Sequence, residues 1–195
     1  MPVETHIYDH KFFQNTIKLE AESAAQFVDV LLKFYLPNSI VDIGCGAGIY
    51  LNEFAKRGIS DWLGIDGSPS AKENFLLNKN ELIIFDLAQE YQFKKKYDLG
   101  LCLEVAEHLR EQDADTLIKT ITEASDTIIF TAAIPGQGPR SIGHINEQPH
   151  SYWIKKFKDK NFSYLESRTE EMREEMKKNG VVWWLVNNLM VFNKI

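Results

Sequence analysis

Three stretches of the chain hold residue types that chemistry uses, and each follows a run of β-prone residues. The first is Asp42-Ile43-Gly44-Cys45-Gly46-Ala47-Gly48, three glycines at alternate positions after Ile40 and Val41. Glycine accepts φ > 0 and lets another molecule approach the backbone. The helical pattern that follows (Tyr50, Leu51, Phe54, Ala55) aims unpaired N–H groups and a positive dipole end at whatever sits there. The turn therefore faces a ligand. Asp66 comes 20 residues after Gly46, at the tip of a second apolar run. A carboxylate there suits a bidentate hydrogen bond to two ribose hydroxyls, which points to a nucleoside-type ligand without choosing between cofactors. The third stretch is Glu104-Val105-Ala106-Glu107-His108, whose ionisable residues fall at i, i+3 and i+4 and share a face if a helical turn forms. His144 adds an imidazole, a group that can be neutral near pH 7 and accept a proton.

The elements that must position these groups follow from hydrophobic period. Ala24, Phe27, Val28, Leu31, Leu32 and Tyr35 repeat at helical spacing, so a covering helix precedes Pro37. The strand into the glycine turn is followed by Asp61 to Asp66, a buried Leu82 to Phe85, Tyr97 to Leu103 and Thr127 to Thr131. Helical patterns separate them; Ser70 is expected to cap the short one after Asp66, and Asp113 the one carrying Leu117, Ile118 and Ile121. Residues 132–150 have no periodicity but much glycine and proline, including Pro135, Gly136, Gly138 and Pro139. So long a loop in a compact domain is commonly a binding loop. A helix around Tyr152 to Phe157, a strand at Phe162 to Glu166, a helix at Glu170 to Lys178 and a last strand at Leu189 to Phe192 complete the pattern. Alternating strands and helices give a three-layer α/β/α sandwich around a mostly parallel sheet, as a single domain over residues 1–195. Residues 1–36 form its N-terminal covering segment and residues 132–150 its active-site loop.

Composition sets the class. The chain has 195 residues, 44% of them hydrophobic and 26% charged, with two cysteines without metal-type spacing, so it reads as a reduced protein of the cytoplasm. No run approaches membrane-spanning length. A net charge of −6 argues against broad binding of a phosphate backbone, so nucleic acid is not expected as a partner, with Lys94 to Lys96 and Lys155 to Lys160 read as solvated faces.

Dinucleotide sites usually follow Gly-x-Gly-x-x-Gly, and the position needing the third glycine holds Ile49. Asp42-x-Gly44-x-Gly46-x-Gly48 instead resembles the first motif of class I S-adenosylmethionine-dependent methyltransferases, and the likeness runs through Asp66, Asp86-Leu87 and Leu103 to His108. The resemblance implies a Rossmann-like sheet of seven strands with the last antiparallel. It implies that Asp42 meets the ammonium of the cofactor while Gly44, Gly46 and Gly48 leave room beside its methionine part. It further implies that Asp66 holds the ribose, and that Asp86 and the Leu87 N–H meet the adenine. Tyr8 and Ser23 would be lid contacts.

The activity it implies is methyl transfer to a small molecule or to a small group, such as a glycan or metabolite group, within a larger one, with oxygen the expected acceptor atom and His144 the base. Glu104, Glu107 and His108, completed by His144, resemble a Glu-x-x-Glu-His pattern of magnesium-dependent small-RNA 2′-O-methyltransferases and of some quinone-pathway O-methyltransferases. Two carboxylates would give a hard cation such as magnesium its oxygen ligands. Three alternatives stay open: RNA 2′-O-methylation, an NAD-dependent oxidoreductase, and a module that holds the cofactor without catalysis.

Overall fold

The computed structural model describes residues 7–137 and 143–195. Seven strands form one sheet in the order β3-β2-β1-β4-β5-β7-β6, built from β1 (Ser39–Ile43), β2 (Asp61–Asp66), β3 (Leu82–Ile84), β4 (Leu99–Leu103), β5 (Thr127–Thr131), β6 (Phe162–Tyr164) and β7 (Met190–Lys194). The neighbours from β3 to β5 pair in parallel, with Ile40 opposite Leu99 and Ile43 opposite Ile65. β7 runs antiparallel to both β5 and β6.

Strand residues alternate between two cores because successive side chains leave a strand on opposite faces. Ile40, Leu99, Leu101, Ile129 and Val191 join one core. Val41, Ile43, Cys102, Ile128, Phe130 and Phe192 join the other. The first core is covered by α1 (His10–Phe34), α2 (Ile49–Lys56), α3 (Pro69–Asn74), α6 (Glu166–Lys178) and α7 (Trp183–Asn188). The second lies under α4 (Ala114–Ala124) and α5 (His150–Lys158). This is the expected three-layer sandwich.

Several local expectations need correction. α1 starts at His10, with Asp9 accepting from the Phe12 N–H at 2.8 Å, so the covering helix begins well before the apolar repeat that starts at Ala24 and includes Phe12 and Phe13. α3 is capped at Ser68 with Pro69 in its first turn, where a missing N–H costs nothing, and not at Ser70. Asp113 occupies the N-cap of α4 but pairs its carboxylate with Arg110. β3 is an edge strand with Ile84 36% exposed, which explains why its apolar run is shorter and less buried than a central strand. α6 begins four residues before the acidic run at Glu170. α7 stands where no helix was expected, because two tryptophans and two asparagines over six residues give little periodicity to read.

The order reverses direction at β1 and β4: from β1 the chain moves outward to β2 and β3, then returns to the other side of β1. Open α/β sheets bind ligands in the crevice that such a reversal leaves beyond the carboxyl ends of the strands. The glycine turn, Asp66, Asp86, Glu104 and the segment from Ala132 all leave the sheet at that edge.

Candidate functional site

A cavity of about 1060 Å³ lies along this edge, roofed by the first half of α1 and by Trp183 and Trp184 of α7. Its floor carries Asp86, Asp66, Asp42 with the glycine turn, and Glu104 with His108, in the order of the strands they follow. All three glycines of the turn have positive φ (+83°, +52° and +73°). Packing constrains the outer two. A Cβ on Gly44 would stand 2.3 Å from Val105 Cγ2 and one on Gly48 2.4 Å from Phe75 Cε2, whereas at Gly46 the nearest atom is Phe13 Cε1 at 3.2 Å. The missing side chain at Gly46 therefore faces the covering helix.

Asp66 is fixed by the turn itself. Its Oδ2 accepts from the Gly46 N–H and its Oδ1 from the Ser68 N–H, both at 2.7 Å. Each carboxylate oxygen keeps a free lone-pair direction. Burial raises its pKa, against the pull of those two N–H donors. Asp42 is 2% exposed and its Oδ2 has no hydrogen-bond partner. Burial, then the charge of Asp66, pushes its carboxyl up to about 8. Asp86 is exposed and accepts from the Ala88 N–H at 3.0 Å, beside a buried Leu87.

The Glu-x-x-Glu-His run does not share one helical face. Glu104 has φ +54°, a conformation that costs of order 1–3 kcal/mol for a non-glycine residue and persists where surroundings enforce it. Its N–H bonds Thr131 Oγ1 at 2.9 Å, and both carboxylate oxygens accept from Asn188 Nδ2 at 3.0 and 3.1 Å. Only Ala106 to His108 make a helical turn, of the 3₁₀ type. Glu107 is fully buried, with Oε1 accepting from the Ala133 N–H at 3.2 Å. Burial and then the charge of Glu104 raise it well above its ordinary value, and burial raises Glu104 as well. Glu107 Oε2 meets no donor among the described residues other than a proton it could share with Glu104. The Glu107 carbonyl accepts from the Ile145 and Asn146 N–H groups at 2.9 and 3.0 Å, which ties the later loop to this turn.

That tie brings His144 to His108, with ring centroids 4.9 Å apart. His144 Nδ1 lies 2.8 Å from Glu147 Oε1, and His108 Nδ1 lies 2.8 Å from Tyr8 Oη. Burial depresses His108 to about 4, so its imidazole is neutral. Ligand atoms of Glu107, His108 and His144 all lie within 4.8 Å of one another, and Glu104, whose carboxylate accepts from Asn188, is not part of this group. Ser23, expected as a lid contact, is instead a buried residue of α1 itself, outside the cavity lining, and accepts from the Val182 N–H at 3.0 Å. Tyr8 does reach the cavity. Of the loop 132–150, residues 138–142, and of the covering segment 1–36, residues 1–6, lie outside the described residues.

Sequence reasoning missed Asn188, Thr131, Tyr50 and Glu20. Tyr50 Oη donates to Glu20 Oε2 at 3.3 Å, and burial pushes the Glu20 carboxyl up to about 7. Glu20 carried a readable signal, an acid on the apolar stripe of α1. Asn188 carried none.

The model of a family described as a methyltransferase domain matches residues 16–130, more than half of the chain. The chain belongs to the class I S-adenosylmethionine-dependent methyltransferases. A relative, the ubiquinone biosynthesis O-methyltransferase of Acinetobacter baumannii (strain AYE), is 31% identical over 123 residues, covering 58% of this chain and 46% of the relative. The chain thus spans about half the length of the curated relatives it matches. Among solved structures, a chain of the Haloferax volcanii complex containing the Trm112 methyltransferase activator aligns with TM-score 0.67 at 15% identity, over 94% of this chain and 93% of that one. The magnesium protoporphyrin IX methyltransferase of Synechocystis PCC 6803, solved with bound S-adenosylmethionine, aligns with TM-score 0.58 at 22% identity, over 78% and 74%. These two likenesses concern the fold. The methyltransferase's cavity suits its cofactor chemically: an orphaned buried carboxylate oxygen, a second carboxylate with free lone pairs, and a turn without side chains.

Proposed function

We propose that the chain methylates an oxygen atom of a small-molecule acceptor. The observation that carries this reading is the group of Glu107, His108 and His144, whose two histidines line the cavity beside the loop, where an acceptor hydroxyl would lose its proton. The name of the Acinetobacter baumannii relative supports oxygen as the acceptor atom. When bound, S-adenosylmethionine supplies a methyl group on a positively charged sulfur, so the chain need only orient the acceptor, exclude water and take up a proton. In this reading Asp42, Gly44, Gly46 and Gly48 cradle the amino-acid end of the cofactor. Asp66 accepts from the ribose hydroxyls, and Asp86 with the Leu87 N–H holds the adenine. His144 takes the proton, with Glu147 fixing the orientation of its ring. Lys95 and Lys96 pair with Asp61 and Asp126, which favours a small acceptor over a nucleic acid. We read both buried, free cysteines as fitting a reducing cytoplasm; no helix among the described residues is long and apolar enough to cross a membrane.

The test is to incubate the protein with methyl-labelled S-adenosylmethionine and fractionated metabolite or RNA extracts, then locate the label. An O-methyl ether in a small molecule is expected. Label on nitrogen or carbon, or in the RNA fraction, would overturn the reading.

A second reading rests on the same three residues. Glu107, His108 and His144, with Glu104 behind them, could hold a divalent cation of the magnesium class, which would lower the pKa of a bound acceptor hydroxyl. A neutral His108 and an underused Glu107 oxygen suit a cation. Full activity after chelation would exclude it and leave His144 as a metal-free base.

A further inference from the structure

α1 turns a stripe of residues to the interior, among them Phe13, Ala24, Phe27, Val28 and Leu31. Glu20 falls on that stripe, one turn before Ala24 and two before Phe27. A carboxylate placed there loses hydration and needs a partner to offset it. Among the described residues its hydrogen bond comes from Tyr50 Oη, and no lysine or arginine contributes to its environment. The described residues lining the cavity include five acids, Glu20, Asp42, Asp66, Asp86 and Glu104, and no lysine or arginine.

A group of acids alone would show little. Asp42 supplies the independent observation: it is 2% exposed, lines the same cavity, and its Oδ2 has no partner. Charges on Glu20, Glu104 and Asp42 all act on the Tyr50 hydroxyl, so these carboxylates surround one space next to the first turn of α2. Among the described residues, that space has no lysine or arginine. The cofactor of this family carries an ammonium group at its amino-acid end.

We propose that Glu20, reaching in from the covering helix, is a recognition residue for that ammonium and acts together with Asp42. The inference rests on the cofactor assignment above. It gives α1 a chemical role in addition to its packing, and the raised pKa of Glu20 fits a carboxylate whose cationic partner arrives with the ligand.

The test is calorimetric titration of the wild-type protein and of Glu20→Gln with three probes: S-adenosylmethionine, S-adenosylhomocysteine and 5′-methylthioadenosine. The first two carry the ammonium and the third does not. Glu20→Gln is expected to weaken both ammonium-bearing ligands about tenfold or more, the loss of one hydrogen bond to a charged group, and to leave 5′-methylthioadenosine within about twofold. Equal weakening of all three would mean that the substitution disturbs the cavity as a whole, and would overturn the proposal. So would unchanged affinities with a lowered methyl-transfer rate, which would turn Glu20 toward the acceptor instead. Glu20→Asp, which keeps the charge, should recover part of the lost affinity, and a thermal melt establishes that each variant is folded. A wild-type protein that binds none of the three would refute the cofactor assignment itself, a result distinct from failure of the Glu20 proposal.

Discussion

Replacing Asp42 by asparagine should stabilise the ligand-free protein at neutral pH while weakening its hold on the cofactor. In the folded protein the carboxyl is raised from 3.8 to about 8, by burial first and by the charge of Asp66 second. A raised acid binds its proton more tightly when folded, so its stabilising contribution is complete below pH 3.8 and is lost as pH rises through about 8. At pH 7 the folded protein keeps Asp42 about nine-tenths protonated while the unfolded chain is ionised. At about 1.4 kcal/mol per pH unit, this costs roughly 4 kcal/mol relative to a group that does not titrate. An asparagine amide without a partner returns about 1–3 kcal/mol of that. The expected net gain at pH 7 is therefore about 1–3 kcal/mol, or about 2–12 °C in melting temperature for a chain of this size. At pH 4 the gain should be gone and the sign reversed, with the asparagine variant less stable by about 1–3 kcal/mol, the cost of its unpartnered amide. Thermal melts of both proteins from pH 4 to 8, without ligand, measure it directly. An asparagine variant less stable than wild type at pH 7, or two proteins with parallel stability curves, would show that Asp42 already has a partner and refute the reasoning. In the same variant S-adenosylmethionine should bind about tenfold or more weakly, since a charge-assisted hydrogen bond of about 1.5–3 kcal/mol is lost.

Asp66→Ala removes the acceptor of the Gly46 and Ser68 N–H groups as well as the proposed ribose contact. Titration calorimetry should show affinity for S-adenosylmethionine reduced at least about tenfold, and unchanged affinity in a folded variant would remove Asp66 from the site. Gly48→Ala should lower stability by about 1–3 kcal/mol in denaturant unfolding, because the new Cβ meets the Phe75 ring at 2.4 Å on a backbone with φ +73°. Asn188→Ala leaves the Glu104 carboxylate without its donor. A loss of about 1–3 kcal/mol is expected, with methyl transfer falling further than cofactor affinity; equal stability would mean that water replaces the amide.

Much of this was legible in the sequence. Sheet and layers followed from alternating periods, because β1, β4 and β5 are central strands, buried along nearly their whole length and mostly apolar. The cofactor edge was legible because glycines and strand-end acids sit at fixed chain positions. Glu104 was misread for a physical reason. Spacing at i and i+3 predicts a common face only within a helix, and a left-handed residue at position 104 turns its side chain out of that register toward Asn188. That partner is 84 residues away and leaves no local trace. Glu20 was passed over because the stripe around it was read for its apolar members alone, although an acid among them is the informative observation.

The position of β7 governs how the sheet is completed. It is the last strand in the chain, yet it lies between β5 and β6 and supplies hydrogen bonds to both. Until residues 190–194 have been synthesised, β5 presents an unpaired edge and β6 has no neighbour at all. The long-range closure that inserts β7 is entropically slow. The half-built protein therefore passes through a stage in which the apolar run Ile128-Ile129-Phe130 of β5 lies open to pairing with another chain. Shortening the chain by its last few residues would hold it at that stage, so the solubility of such variants should fall well before any residue of the cavity is touched.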